Sequence, residues 1–174
     1  MPSRRSIPLL FLAGALLAGF GGCGSGGDST SLSAGEPELV SPSQLSEFAG
    51  EANTPVYWLG ERVGAKYELT ETDAGRIYVR YLRGNAEADD PRSSFVTVGT
   101  YPSEDGIAKL RQAARAQEGA KLGRAADGST LLGDPSSTSA YLVYPGGDTQ
   151  VEVYSPVPGQ ALRLASAGAV REVP

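Results

Sequence analysis

Ala65–Thr72 and Arg76–Leu82 are two β-rich runs of alternating polarity, joined by Asp73-Ala74-Gly75. No other feature constrains the fold as much. A three-residue loop with glycine third suits a type I turn followed by a bulge, and that geometry fixes which residues face each other. It sets Leu69 opposite Val79, Tyr67 opposite Tyr81, and Glu68 opposite Arg80. Tyr67, Leu69, Ile77, Val79 and Tyr81 then share one face, the expected core face. Lys66, Glu68, Thr70, Tyr78 and Arg80 share the other. A slip by one residue would mix the two sets, so the pattern supports this register.

Other elements follow from similar signals. Ser41, Pro42 and Gln44 read as a capping box with proline in the first turn, ahead of Leu45, Phe48, Ala49 and Ala52 at helical spacing. Val56–Leu59 is a short strand, and residues 83–93 are a polar loop. Phe95–Tyr101 is a strand. A second helix opens at Pro102 and Ser103, with Glu104 and Asp105 suited to its dipole, and ends at Gly119. Ala120–Ala126 and Ser129–Leu132 are weak strands; Ala140–Tyr144 and Thr149–Tyr154 form a second hairpin. Pro156 and Pro158 introduce a last helix that Gly168 stops, and Ala169–Val173 reads as a terminal edge strand. The class expected is α+β: a largely antiparallel sheet with about three helices packed on one face.

Two series invite comparison. Tyr78-Val79-Arg80-Tyr81, Val96-Thr97-Val98 and Pro102 before a helix parallel Tyr141-Leu142-Val143-Tyr144, Val151-Glu152-Val153 and Pro156 before a helix. Two helix-plus-four-strand repeats would produce this, and so would a general β-rich composition; the residues leave both readings open.

The amino terminus gives an address. Arg4 and Arg5 precede an uncharged apolar stretch from Ser6 to Gly22, shorter than the roughly 20 residues that span a bilayer. A positive start, an apolar middle and small residues at the end describe a signal peptide over residues 1–22. Phe20-Gly21-Gly22-Cys23 then places the sole cysteine directly after two glycines. This resembles the lipobox of bacterial lipoproteins, which implies that Cys23 becomes the first mature residue and carries acyl chains. Phe in place of the commoner Leu is a mild departure. Ser3–Ile7 loosely resembles a twin-arginine export signal, although an arginine pair is ordinary in a positive region. Residues 23–40 are expected to be the lipidated Cys and a Gly/Ser-rich tether, and 41–174 a single α+β domain. Pro55–Gly60, Tyr67–Thr70 and Val98–Pro102 resemble segments of uncharacterised lipoproteins of high-GC actinobacteria, a resemblance that implies no activity.

Composition narrows the chemistry. The formal charge is −5, and it is more negative still without Arg4 and Arg5, the only charged residues among the first 22. That balance argues against nucleic acid as a partner. The absence of His removes imidazole triads and shuttles, and one Cys permits neither an internal disulfide nor a cysteine metal cluster. No phosphate loop, nucleophile elbow or Ser–Lys signature is present, so no catalytic or metal residue and no cofactor is assigned. Asp89-Asp90 and Glu104-Asp105 read as solvated or capping carboxylates. Asn85, Glu87, Asp89 and Asp90 offer oxygens to calcium but lack the EF-hand spacing.

Trp58, Tyr78, Arg80 and Arg83 are the candidate ligand-binding residues, expected to line an outer sheet face or groove, with Glu68–Arg80 as an exposed pair or as an arginine oriented for a ligand; half-buried sheet packing is the plainer account of the aromatics. The residues favour a membrane-anchored extracytoplasmic lipoprotein with a non-catalytic binding domain for an envelope protein or small ligand. The alternative is a His-free envelope hydrolase using carboxylates or Tyr.

Overall fold

A computed structural model describes residues 35–146 and 148–174. The expected signal sequence, Cys23 and the first part of the tether lie outside the described residues.

The chain forms β1 (Glu38–Val40), α1 (Pro42–Glu51), β2 (Tyr57–Trp58), β3 (Ala65–Glu71), β4 (Ile77–Arg83), β5 (Val96–Pro102), α2 (Gly106–Ala116), β6 (Lys121–Arg124), β7 (Thr130–Gly133), β8 (Ser139–Val143), β9 (Thr149–Tyr154), α3 (Gln160–Ser166) and β10 (Arg171–Glu172). Eight strands make one antiparallel sheet in the order β1-β3-β4-β5-β9-β8-β7-β6, and β2 pairs with β10 in a separate two-stranded sheet. The α+β class and the antiparallel sheet agree with the sequence reading.

The first hairpin has the expected register: Leu69 faces Val79, Tyr67 faces Tyr81, and Glu68 faces Arg80. Gly75 takes φ +66°, the left-handed conformation that the bulged turn demands of its third residue. The capping box of α1 is also formed. Gln44 N–H donates to Ser41 Oγ at 3.2 Å, and Ser41 N–H donates to Gln44 Oε1 at 2.9 Å. Ser41→Ala is therefore expected to cost about 1 kcal/mol in urea unfolding; an unchanged midpoint would show that α1 does not depend on its cap.

Four expectations are corrected. The tether is shorter, because Glu38–Val40 pair with Tyr67–Leu69 as an edge strand. A three-residue strand carries too little periodicity to announce itself. The helices occupy both faces of the sheet. Along β8, Ala140 and Leu142 join the main core with Leu45 of α1 and Ala161 and Ala165 of α3, whereas Tyr141 and Val143 pack with Leu110 of α2. Neighbouring residues of a strand point to opposite sides, so α2 lies across the sheet from α1 and α3. Its start is later than expected: Pro102 ends β5, and Asp105 takes φ 56° with no side-chain capping bond. The terminal strand, finally, pairs with β2 and not with the main sheet.

The strand order is symmetric about the β5–β9 seam, with one four-stranded meander on each side. The paired series noted in the sequence occupy matching places, Tyr78–Tyr81 on β4 and Tyr141–Val143 on β8. The helices break the symmetry, since α2 after β5 and α3 after β9 lie on opposite faces.

Candidate functional site

Residues 84–95 fold back over the sheet face that carries Glu68 and Arg80. Arg80 Nη1 donates to Glu68 Oε1 at 2.6 Å, and its Nη2 donates to the Asp90 and Arg92 carbonyls at 2.8 and 3.1 Å. The other carboxylate oxygen of Glu68 accepts from the Asp89 N–H at 2.8 Å. Lys66 Nζ donates to the Ala86 carbonyl at 2.9 Å. Glu68 is thus 1% exposed, not the solvated partner that the hairpin pattern alone implies. Leu82, Ala86 and Phe95 form a small core under the covering segment.

A second segment is fixed by tyrosine hydroxyls. Tyr81 Oη accepts from the Leu59 N–H at 2.6 Å, and Tyr67 Oη accepts from the Arg62 N–H at 2.8 Å. Burial pushes the Tyr81 phenol well above its ordinary range, so it stays protonated.

Between these two pinned segments and the chain after β9 lies a cleft of about 450 Å³. Its floor is apolar, with Leu59, Phe95, Val96 and Leu164. Arg62, Arg83 and Arg92 line it, and no carboxylate among the described residues does. Arg92 is committed, since its Nε donates to Asp90 Oδ1 at 2.8 Å. Those hydrogen bonds lower the Asp90 carboxyl to about 2 and raise the Arg92 guanidinium. The Arg80 and Arg92 guanidinium carbons lie 5.4 and 5.3 Å from the Phe95 ring centroid. Arg62 and Arg83 form no ion pair among the described residues. Gln160 Oε1 accepts from Ser155 Oγ at 2.7 Å, which leaves the amide nitrogen as a donor for the cleft.

The four candidate binding residues do not meet on one face. Trp58 is 4% exposed, with its ring edge-on to Tyr67 and the Arg171 guanidinium 5.8 Å from its centroid. It is buried because β2 packs against β5 and pairs with β10. Tyr78 is half-buried on the opposite face, edge-on to Tyr101. Arg80 is consumed by Glu68 and the two carbonyls. Only Arg83 reaches the cleft. Arg62, Arg92 and Phe95 lie in or beside loops, where no periodicity marks them; the sequence offers only their residue types, arginine and aromatic, as a signal.

A second polar cluster lies on the sheet face shared with α2. Tyr101 Oη donates to Glu152 Oε2 at 2.8 Å. Burial, reinforced by the Glu152 charge, pushes the Tyr101 phenol far up and the Tyr141 phenol up to about 12. Both phenols remain protonated and are poor nucleophiles at neutral pH. Among the described residues, no three His, Cys, Asp or Glu side chains converge to hold a metal ion. In the 85–91 segment Asp90 is turned to Arg92, and Glu87 lies 3.6 Å from Lys66. No helix among the described residues is long and apolar enough to cross a membrane.

Comparison with protein-family models, curated proteins and solved structures finds no match to this chain.

Proposed function

We propose that the chain is a lipid-anchored extracytoplasmic protein whose folded domain binds a ligand in the arginine-rimmed cleft without transforming it. The observation that carries the binding reading is the cleft itself: two guanidinium groups without carboxylate partners among the described residues line it beside apolar side chains, between backbone segments fixed by Glu68, Arg80, Tyr67 and Tyr81. A concave site that sets directional polar groups beside apolar surface is the usual form of a ligand pocket. The membrane partner follows from Phe20-Gly21-Gly22-Cys23. Acyl chains contribute about 0.8 kcal/mol per buried methylene, so two chains anchor where one holds marginally. The hydrolase reading has less to support it: no carboxylate among the described residues lines the cleft, and the Tyr101–Glu152–Tyr141 cluster keeps its phenols protonated.

Two measurements test this reading. Cys23→Ser should move the protein from the membrane fraction to the soluble one, and a variant that still pellets with membranes places the anchor elsewhere. Chemical-shift mapping with a chemically mixed fragment set should converge on the amides of Leu59, Ser94, Phe95 and Gln160. Shifts scattered over the surface would remove the cleft as the binding site.

A further inference from the structure

We infer that the cleft takes a small amphiphilic anion: a carboxylate or phosphate carried on an apolar chain. The inference rests on the binding reading above and names its ligand. The chain as a whole is acidic, yet this cleft gathers three arginines and no acid. Apart from the Ser94 hydroxyl, which can donate or accept, the side-chain polar groups offered to a ligand are donors. Arg62 and Arg83 are exposed and lack ion-pair partners among the described residues, and Gln160 presents its amide nitrogen because Ser155 holds its oxygen. Two other acceptors, one on the lining and one beside it, are spent. The Tyr81 hydroxyl accepts from Leu59, and the Asp90 carboxylate is turned to Arg92. A donor-rich, acceptor-poor rim selects an anion, and a planar guanidinium matches the paired oxygens of a carboxylate or phosphate.

The floor selects the rest of the ligand. Leu59, Phe95, Val96 and Leu164 line the cleft with apolar surface, together with Val157, which is half exposed. A free inorganic ion would leave that surface wet, whereas a chain on the anion covers it. The head is held by charge-assisted bonds and the body by apolar contact. Either part alone binds weakly, because only the surplus over the entropy of association appears as affinity.

The test uses the full chain in phosphatidylcholine nanodiscs and a diazirine-bearing dodecanoate, with labelled residues mapped by mass spectrometry. Label is expected on cleft residues. Dodecanoate and dodecyl phosphate should compete at least 10-fold more strongly than dodecanol or dodecyltrimethylammonium, and at least 100-fold more strongly than acetate or inorganic phosphate. Arg62→Gln with Arg83→Gln should weaken competition at least 10-fold; among the described residues neither side chain has an ion-pair or hydrogen-bond partner to lose. Added vesicles separate the two sources: protection by phosphatidylglycerol vesicles, and not by phosphatidylcholine vesicles, assigns the anion to a lipid headgroup. Protection by neither supports a free amphiphile. Equal competition by dodecanol or the cationic amphiphile, with label still in the cleft, overturns the anion and leaves the binding site standing. Absence of label from the cleft, together with scattered fragment shifts, overturns both.

Discussion

Glu68→Ala is expected to lower the stability of the fold by about 3 kcal/mol and its thermal midpoint by roughly 10 °C. The carboxylate is 1% exposed, paired with Arg80 and bonded to the Asp89 amide. Its removal leaves a guanidinium under the 84–95 segment with its main counter-charge gone. A buried pair broken from one side costs more than the pair contributes, because the orphaned charge remains in place. Arg80 is one-fifth exposed and can recover part of its hydration, which keeps the expected loss at the lower end of such changes. Substituting Glu68 and Arg80 together by Leu separates two effects. Global stability should return toward the parent value, while the Asp89 amide should exchange with solvent faster, since its acceptor is gone. Urea unfolding measures the first and hydrogen exchange the second. A loss below about 1 kcal/mol for Glu68→Ala would mean that the pair behaves as an exposed one.

Leu142→Ala should cost about 3 kcal/mol, through the lost transfer energy of the side chain and the cavity left behind. Leu142 is fully buried on β8, in the core that it shares with Ala161 and Ala165 of α3. Those alanines are too short to fill the space. The helix is tied through Gly159, whose φ of +72° and N–H bond to the Ser137 carbonyl fix where α3 begins. Val63→Ala is the control. Val63 is fully exposed, so its truncation should change the unfolding free energy by less than about 0.5 kcal/mol. Equal effects at the two positions would show that the α3 face of the sheet is not packed as described.

The two hairpins were legible because their signals are local. Asp73-Ala74-Gly75 sets a register by geometry, and the Tyr67–Leu69 and Val79–Tyr81 alternation agrees with it. The capping box at Ser41 is likewise contained in four residues. The site was mostly hidden because it is assembled from segments distant in sequence. Arg62, Arg83 and Arg92 stand in three separate stretches, and their convergence depends on how the 59–62 and 84–95 segments are tied down. The same dependence misplaced Glu68. Its hairpin position puts it opposite the core face, and only the fold of residues 84–95 makes that second face an interior. Trp58 failed for a related reason: its burial requires β10, more than a hundred residues later in the chain. Parity along β8 could have placed the helices on both faces, since Leu142 and Val143 are both apolar neighbours. A run of apolar residues says that both sides are covered without saying by what.

The seam between β5 and β9 joins the two meanders, and its partners, such as Val98 and Val153, are far apart in sequence. Apart from β1, which α1 and β2 separate from its partner β3, neighbouring strands within each half are joined by single loops, whereas this seam closes a stretch that encloses α2 and three strands. Each doubling of loop length adds about 0.6 kcal/mol of closure entropy, and contact between distant residues is what slows assembly. Residues 65–102 and 121–154 are therefore expected to pair internally before the seam closes. The seam is expected to form last, and until it does each half would carry β5 or β9 as an unpaired edge open to mispairing with another chain.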